Sequence, residues 1–125
     1  MLNAPDRAGT MVNLSVMKLR RQEYAAAKRD LDSAIRLQPK LGDAYVNRGA
    51  ALIGLRRYPE SLADLNRSIE LGSEEPAKAY FNRALAYEGS GDLKAAYYDY
   101  QKAAALSPEW LAPKEELVRF TVQRR

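Results

Sequence analysis

The 125-residue chain contains no cysteine and no histidine. The first absence excludes a disulfide framework, a thiolate nucleophile and a cysteine-ligated zinc. The second removes the imidazole base and the commonest metal ligand. Any chemistry would fall to Asp, Glu, Lys, Ser or Tyr alone, so the chain reads as a non-enzyme with no cofactor, no metal and no catalytic residue. Long apolar runs are also missing, and none approaches the roughly 18–20 residues of a membrane span. Residues 1–7 lack the basic-then-apolar pattern of a signal peptide. A signal could have been removed, so cytoplasm and periplasm both stay open. No segment alternates with period two, which argues against a sheet.

What is present is an internal repeat. Ala44-Tyr45-Val46-Asn47-Arg48 returns as Ala79-Tyr80-Phe81-Asn82-Arg83 after 35 residues, and Leu37-Gln38-Pro39 as Leu106-Ser107-Pro108 after 69. Three units follow, 8–41, 42–76 and 77–110, between an N-terminal remnant at 1–7 and a tail at 111–125. Apolar residues recur at three- and four-residue spacing, and a Gly-containing or charged turn splits each unit, so each reads as two helices and the fold as all-α with about seven helices. Aligned units place Ser15, Gly49 and Ala84 together, then Ala27, Ser61 and Ala96, then Ala34, Ser68 and Ala103. Small residues let antiparallel helices cross closely. Large ones, such as Leu31, Leu65 and Tyr100, alternate with them as core filling.

These features resemble the tetratricopeptide repeat (TPR) family: a period of about 34, small residues at three fixed positions, an aromatic before the first of them, and Pro39 and Pro108 near the unit ends. The resemblance implies a right-handed α-α superhelix with residues 111–125 as a C-terminal capping helix. The pairs Asn47-Arg48 and Asn82-Arg83 are similar to bacterial members. Two departures stand out. Lys18 occupies a position usually apolar. Gly72-Ser73, with one extra residue before Pro76, predicts a looser turn between the second and third units.

In this family the first helices of the repeats line a concave groove. By resemblance the groove holds an asparagine row, Asn13, Asn47 and Asn82, able to grip a peptide backbone through paired donor and acceptor atoms. Beside it runs an apolar row of Val12, Val46 and Phe81 with Val16, Ala50 and Leu85, and Lys78 stands at its edge. A family variant, the carboxylate clamp, grips the acidic tails of heat-shock chaperones. It needs Lys and Asn on the first repeat, Asn on the second, and Lys and Arg on the third. Here Asn47 and Lys78 match, whereas Val12, Val16 and Asn82 do not, so strong binding of such a tail is not expected.

Arg48 and Arg83 should turn into the stack and pair with Asp30, Asp64 and Asp99, which share one position on the second helices. The expected function is therefore a protein-interaction module that takes a peptide or protein segment in the groove. The alternatives are self-assembly through the repeat edges into a homo-oligomer, or filling of the groove by the tail or a neighbouring copy. Nucleic acid is a weaker alternative. Net charge is +6 over residues 1–57 and −2 over 58–125, but the groove charges are few and mixed, and a basic half is ordinarily a solvated helical surface.

Overall fold

The computed structural model describes residues 4–123, with side chains described for residues 7–120. The described residues form seven helices and no strand: α1 (Ala4–Arg20), α2 (Tyr24–Leu37), α3 (Gly42–Gly54), α4 (Tyr58–Leu71), α5 (Pro76–Gly89), α6 (Leu93–Leu106) and α7 (Leu111–Gln123). Helix α1 starts at Ala4, inside the stretch read from sequence as a remnant. Residues 124 and 125 of the expected capping helix, and the side chain of Val122, lie outside what is described.

The helices pack as pairs, α1 with α2, α3 with α4 and α5 with α6. Each pair leans on the next, and α7 closes the stack against α6. Among the first helices, α3 also touches α1 on one side and α5 on the other, so the three form one continuous face. All nine aligned small residues are buried. They set how near the paired helices come: the Ser61 hydroxyl donates to the Gly49 carbonyl at 2.8 Å, and a Cβ on Gly49 would lie 2.7 Å from Leu65 Cγ. Leu31, Leu65 and Tyr100 are fully buried in the spaces between.

Every pair turns by the same backbone device. Gln22, Arg56 and Gly91 hold left-handed conformations, with φ of 60°, 60° and 89°. The next amide donates back across the helix end each time, Glu23 to Lys18 O, Arg57 to Leu52 O and Asp92 to Tyr87 O, at 2.8–2.9 Å. This is a Schellman closure. Gly54 and Gly89 end their helices just before these turns, where they admit a tyrosine from the preceding repeat. A Cβ on Gly54 would sit 2.3 Å from Tyr24 Cδ1, and one on Gly89 2.3 Å from Tyr58 Cε1. Leu93 holds the equivalent place in the third repeat and is half exposed.

The second-to-third connection is not loose. Gly72 takes φ 76°. Ser73 Oγ donates to Asp43 Oδ1 at 2.7 Å, and the Glu74 amide donates to the same oxygen at 3.2 Å. The extra residue is absorbed at the start of α5, where Pro76 takes a first-turn position that needs no amide hydrogen.

Candidate binding groove

Helices α1, α3 and α5 carry the residues expected to face the groove, and the structure distributes them unevenly. On α1, Asn13 is exposed and Val12 and Val16 are half-buried. On α3, Ala50 is half-buried, but Val46 and Asn47 are only 2% and 4% exposed. Val46 therefore drops out of the exposed apolar row, because α3 is flanked by first helices on both sides and its middle is covered. On α5, Phe81 and Leu85 pack against the cluster of Ala84, Ala96, Tyr100 and Phe120. Phe81 also meets Trp110 at 4.8 Å between ring centroids. The capping segment thus takes up part of the apolar surface of the third repeat, as the Ala8–Leu31–Ala34–Ala44 cluster takes up part of Val12, and Val12, Val16, Ala50, Phe81 and Leu85 are all left half-buried.

The asparagine row is heterogeneous too. Asn13 faces solvent. Asn47 Oδ1 accepts from Lys78 Nζ at 3.2 Å, joining the second and third repeats. Asn82 Nδ2 is buried and, among the described residues, has no hydrogen-bond partner. A buried amide hydrogen without an acceptor is unfavourable by about 1–3 kcal/mol.

One residue further round the same helices the arginines turn inward. Arg48 Nε and Nη2 donate to Asp64 at 2.7 and 2.8 Å, while Nη1 reaches Asp32 at 3.1 Å. Arg83 repeats this on Asp99 at 2.7 and 2.9 Å and reaches Asn66 with Nη1. Asp64 and Asp99 are buried. Their hydrogen bonds push both guanidinium pKa values above the ordinary range, against the opposing effect of burial. Asp30 does not pair with an arginine. Leu14 stands at the repeat-one position equivalent to Arg48, and Lys18, one turn further on, reaches Asp30 instead, with Nζ 2.7 Å from Oδ2. That contact gives the unusual lysine a structural role.

Several participants were missed from the sequence. Asp32 and Asn66 are the second partners of the arginines and sit on the neighbouring repeat. Glu88 Oε1 accepts from the Tyr100 hydroxyl at 2.8 Å and from Arg119 Nη2 at 2.7 Å, and Arg119 also holds Glu116. This network fastens α7. Burial, reinforced by the neighbouring Glu88 carboxylate, drives the Tyr100 phenol well above its usual pKa. Glu116 and Arg119 are an i,i+3 pair, but no spacing rule could have found the contacts to Glu88, whose partners are 12 and 31 residues away.

A family model for the tetratricopeptide repeat matches residues 77–110. Over 85 residues the chain is 36% identical to the Hsp70-Hsp90 organizing protein of Triticum aestivum, covering 68% of this chain and 14% of that protein. Its backbone matches the first TPR domain of human RPAP3 with a TM-score of 0.86, over 94% of this chain and 91% of that one, at 21% identity. The chain belongs to the tetratricopeptide repeat family. A similar match, with a TM-score of 0.85 and 20% identity over 95% and 94% of the two chains, is to the first TPR of Spaghetti (RPAP3), solved bound to the HSP90 peptide SRMEEVD. At these identities the likeness to the solved domains is one of fold. This TPR chain spans about a seventh of the length of the wheat protein. The curated relatives of comparable strength come from plant, slime mould, animal and yeast sources, so the resemblance to bacterial members is not borne out. Among the described residues of the TPR stack, no helix is long and apolar enough to cross a membrane.

Proposed function

We propose that the face formed by α1, α3 and α5 binds an extended peptide or protein segment, holding its backbone chiefly through Asn82, with Asn47 and Asn13 alongside. The observation that carries this reading is the buried Asn82 Nδ2 without a partner. Turning the Asn82 carboxamide toward this face would let a peptide carbonyl complete the hydrogen bonding that folding left open. The likeness to a TPR domain solved with a bound peptide supports the same reading. The preformed helices keep the ordering cost on the receptor side small. No chemical step is assigned to the chain: it acts by binding.

The test is affinity for peptides selected from a display library on the wild-type chain. Asn82→Ala should keep the far-UV circular dichroism of the parent and weaken binding by roughly tenfold, the order expected for one hydrogen bond to a buried donor. Unchanged affinity would move the interface off this face.

Self-association is a second reading with its own support. Leu14 and Met17 on α1 are 45% and 51% exposed, and Leu111 and Val118 on α7 are 66% and 63% exposed. The two ends of the stack thus both show apolar side chains, and a head-to-tail contact would bury them. Sedimentation equilibrium that stays monomeric at high concentration would dispose of it.

A further inference from the structure

Beside the α5 start, the connection after α4 and the connection after α6 enclose a cleft of about 430 Å³. That lies within the roughly 300–1,000 Å³ typical of ligand sites. Trp110 forms one wall and is backed by Phe81, whose ring it meets at 4.8 Å. Pro76, Ala77 and Leu106 provide an apolar lining, and Leu106 is 42% exposed. The polar rim consists of Glu74, Glu75 and Glu109, with Lys78 as the one cation in the lining.

These charges are not balanced within the chain. Among the described residues none of the three carboxylates takes part in an ion pair, whereas the Lys78 ammonium is turned to Asn47 at 3.2 Å. The lining thus sets three carboxylates against one ammonium, with the Lys114 ammonium beside them on the Pro108 carbonyl at 2.6 Å, in a protein of net charge +4.

An aromatic wall, an apolar lining for a methylene stem and an acidic rim together match a long basic side chain. Its stem would lie along Leu106 and Pro76, and its head would meet the face of Trp110 and the glutamates. The cleft also adjoins the proposed peptide track. Lys78 lines it, and the unpartnered Asn82 Nδ2 follows on the same helix one turn later, a rise of roughly 5–6 Å. A residue whose carbonyl reaches Asn82 is within side-chain reach of the cleft.

We infer that the cleft between residues 74–78 and 106–110 receives an arginine or lysine side chain of the segment held in the groove, and so selects for a basic residue in the partner. This rests on the groove reading for the position of the backbone, but it depends on different residues. The expected ligand is thus opposite in charge to the acidic tails that a carboxylate clamp takes.

Trp110 is the only tryptophan in the chain, so its fluorescence reports the cleft directly. The probes are acetyl-Ala-Ala-Arg-Ala-Ala-amide and the same peptide with uncharged citrulline for arginine. The arginine peptide should shift Trp110 emission saturably and bind at least about tenfold more tightly than the citrulline peptide. In a Glu74→Gln/Glu75→Gln/Glu109→Gln variant, folded by circular dichroism, the preference should vanish. Asn82→Ala should weaken both peptides equally and leave their ratio intact. Equal affinity for the two peptides overturns the proposal, as does a preference that survives the triple substitution, or no saturable response to arginine up to about 10 mM. If the ratio persists while Asn82→Ala changes neither affinity, the cleft stands and the backbone track fails. If Asn82→Ala weakens both peptides and no preference exists, the track stands and the cleft fails.

Discussion

Arg48 holds Asp64 through two parallel hydrogen bonds, Nε to Oδ2 at 2.7 Å and Nη2 to Oδ1 at 2.8 Å. Arg83 and Asp99 repeat the arrangement one unit later at 2.7 and 2.9 Å. In both, an arginine of a first helix clasps an aspartate of the second helix of its own repeat, and its remaining nitrogen reaches the repeat before. The pair therefore sets the angle within a repeat and its contact with the previous one.

Replacing one partner should be worse than replacing both. Arg48→Met leaves Asp64, 7% exposed, as a buried carboxylate without its cation. Loss of a buried pair's partner costs about 3–5 kcal/mol, and because Arg48 is itself about a quarter exposed, about 2 kcal/mol is expected here. Adding Asp64→Leu should recover much of the loss. Urea melts of the single and double variants measure both. An unchanged midpoint for Arg48→Met would refute the structural role of the pair.

The glycines should divide by what stands over them. Gly54→Ala sets a Cβ 2.3–2.5 Å from three atoms of the Tyr24 ring. A rigid ring can yield only by moving the repeat interface, so a destabilisation of about 1–3 kcal/mol is expected from overpacking. Gly9 lies inside α1 with nothing within 4 Å of an added Cβ. Gly9→Ala should stabilise by about 0.5–1 kcal/mol through helix propensity alone. Thermal melts with opposite signs for the two variants would show that the close tyrosine contacts, not glycine as such, explain Gly54.

Arg56 and Gln22 hold the left-handed turn position that Gly91 fills in the third repeat. A residue with a Cβ is strained there by about 1–2 kcal/mol. Allowing for the greater freedom of an unfolded glycine, Arg56→Gly should raise stability by about 0.5 kcal/mol. Destabilisation in a chemical melt would mean that the Arg56 side chain contributes something other than turn geometry.

Alkali should loosen the stack in part through Tyr100. Its phenol is raised in the folded chain by burial first and by the Glu88 hydrogen bond second. The unfolded phenol ionises near pH 10, so the contribution is complete below about pH 10 and falls as the pH climbs above it. Tyr100→Phe should be less stable at neutral pH, having lost the bond to Glu88, yet show a shallower decline above about pH 10. Stability curves of equal slope for the two proteins would contradict this.

The peptide SRMEEVD should bind the wild-type groove poorly. Val12, Val16 and Asn82 stand where a carboxylate clamp carries Lys, Asn and Arg. Each missing bond to a charged group is worth about 1.5–3 kcal/mol. The triple variant Val12→Lys/Val16→Asn/Asn82→Arg should therefore gain roughly 1,000-fold over the parent in calorimetric titration. Micromolar binding by the parent would show that acidic tails are held by other residues.

The amino-acid pattern alone was enough for the helices, their pairing and the positions of the small crossing residues. A period of 34–35 written in Ala, Ser and Gly at nine aligned places admits few other ways of packing, because only small side chains let two helix axes approach. Part of the side-chain pairing was legible as well, as in Arg48 and Arg83, which turn into the stack onto Asp64 and Asp99. Tertiary structure decided what no periodicity encodes: which groove residues remain open. Val46 and Phe81 have the same sequence register, yet Val46 is covered by neighbouring first helices, while Phe81 lies against Trp110 from the segment leading into the cap. Asn47 and Asn82 look alike in sequence, but Lys78 satisfies one and leaves the other without a partner. Exposure and pairing depend on groups brought together from 30 or so residues away, and a linear pattern records each side chain without the neighbour that will cover it.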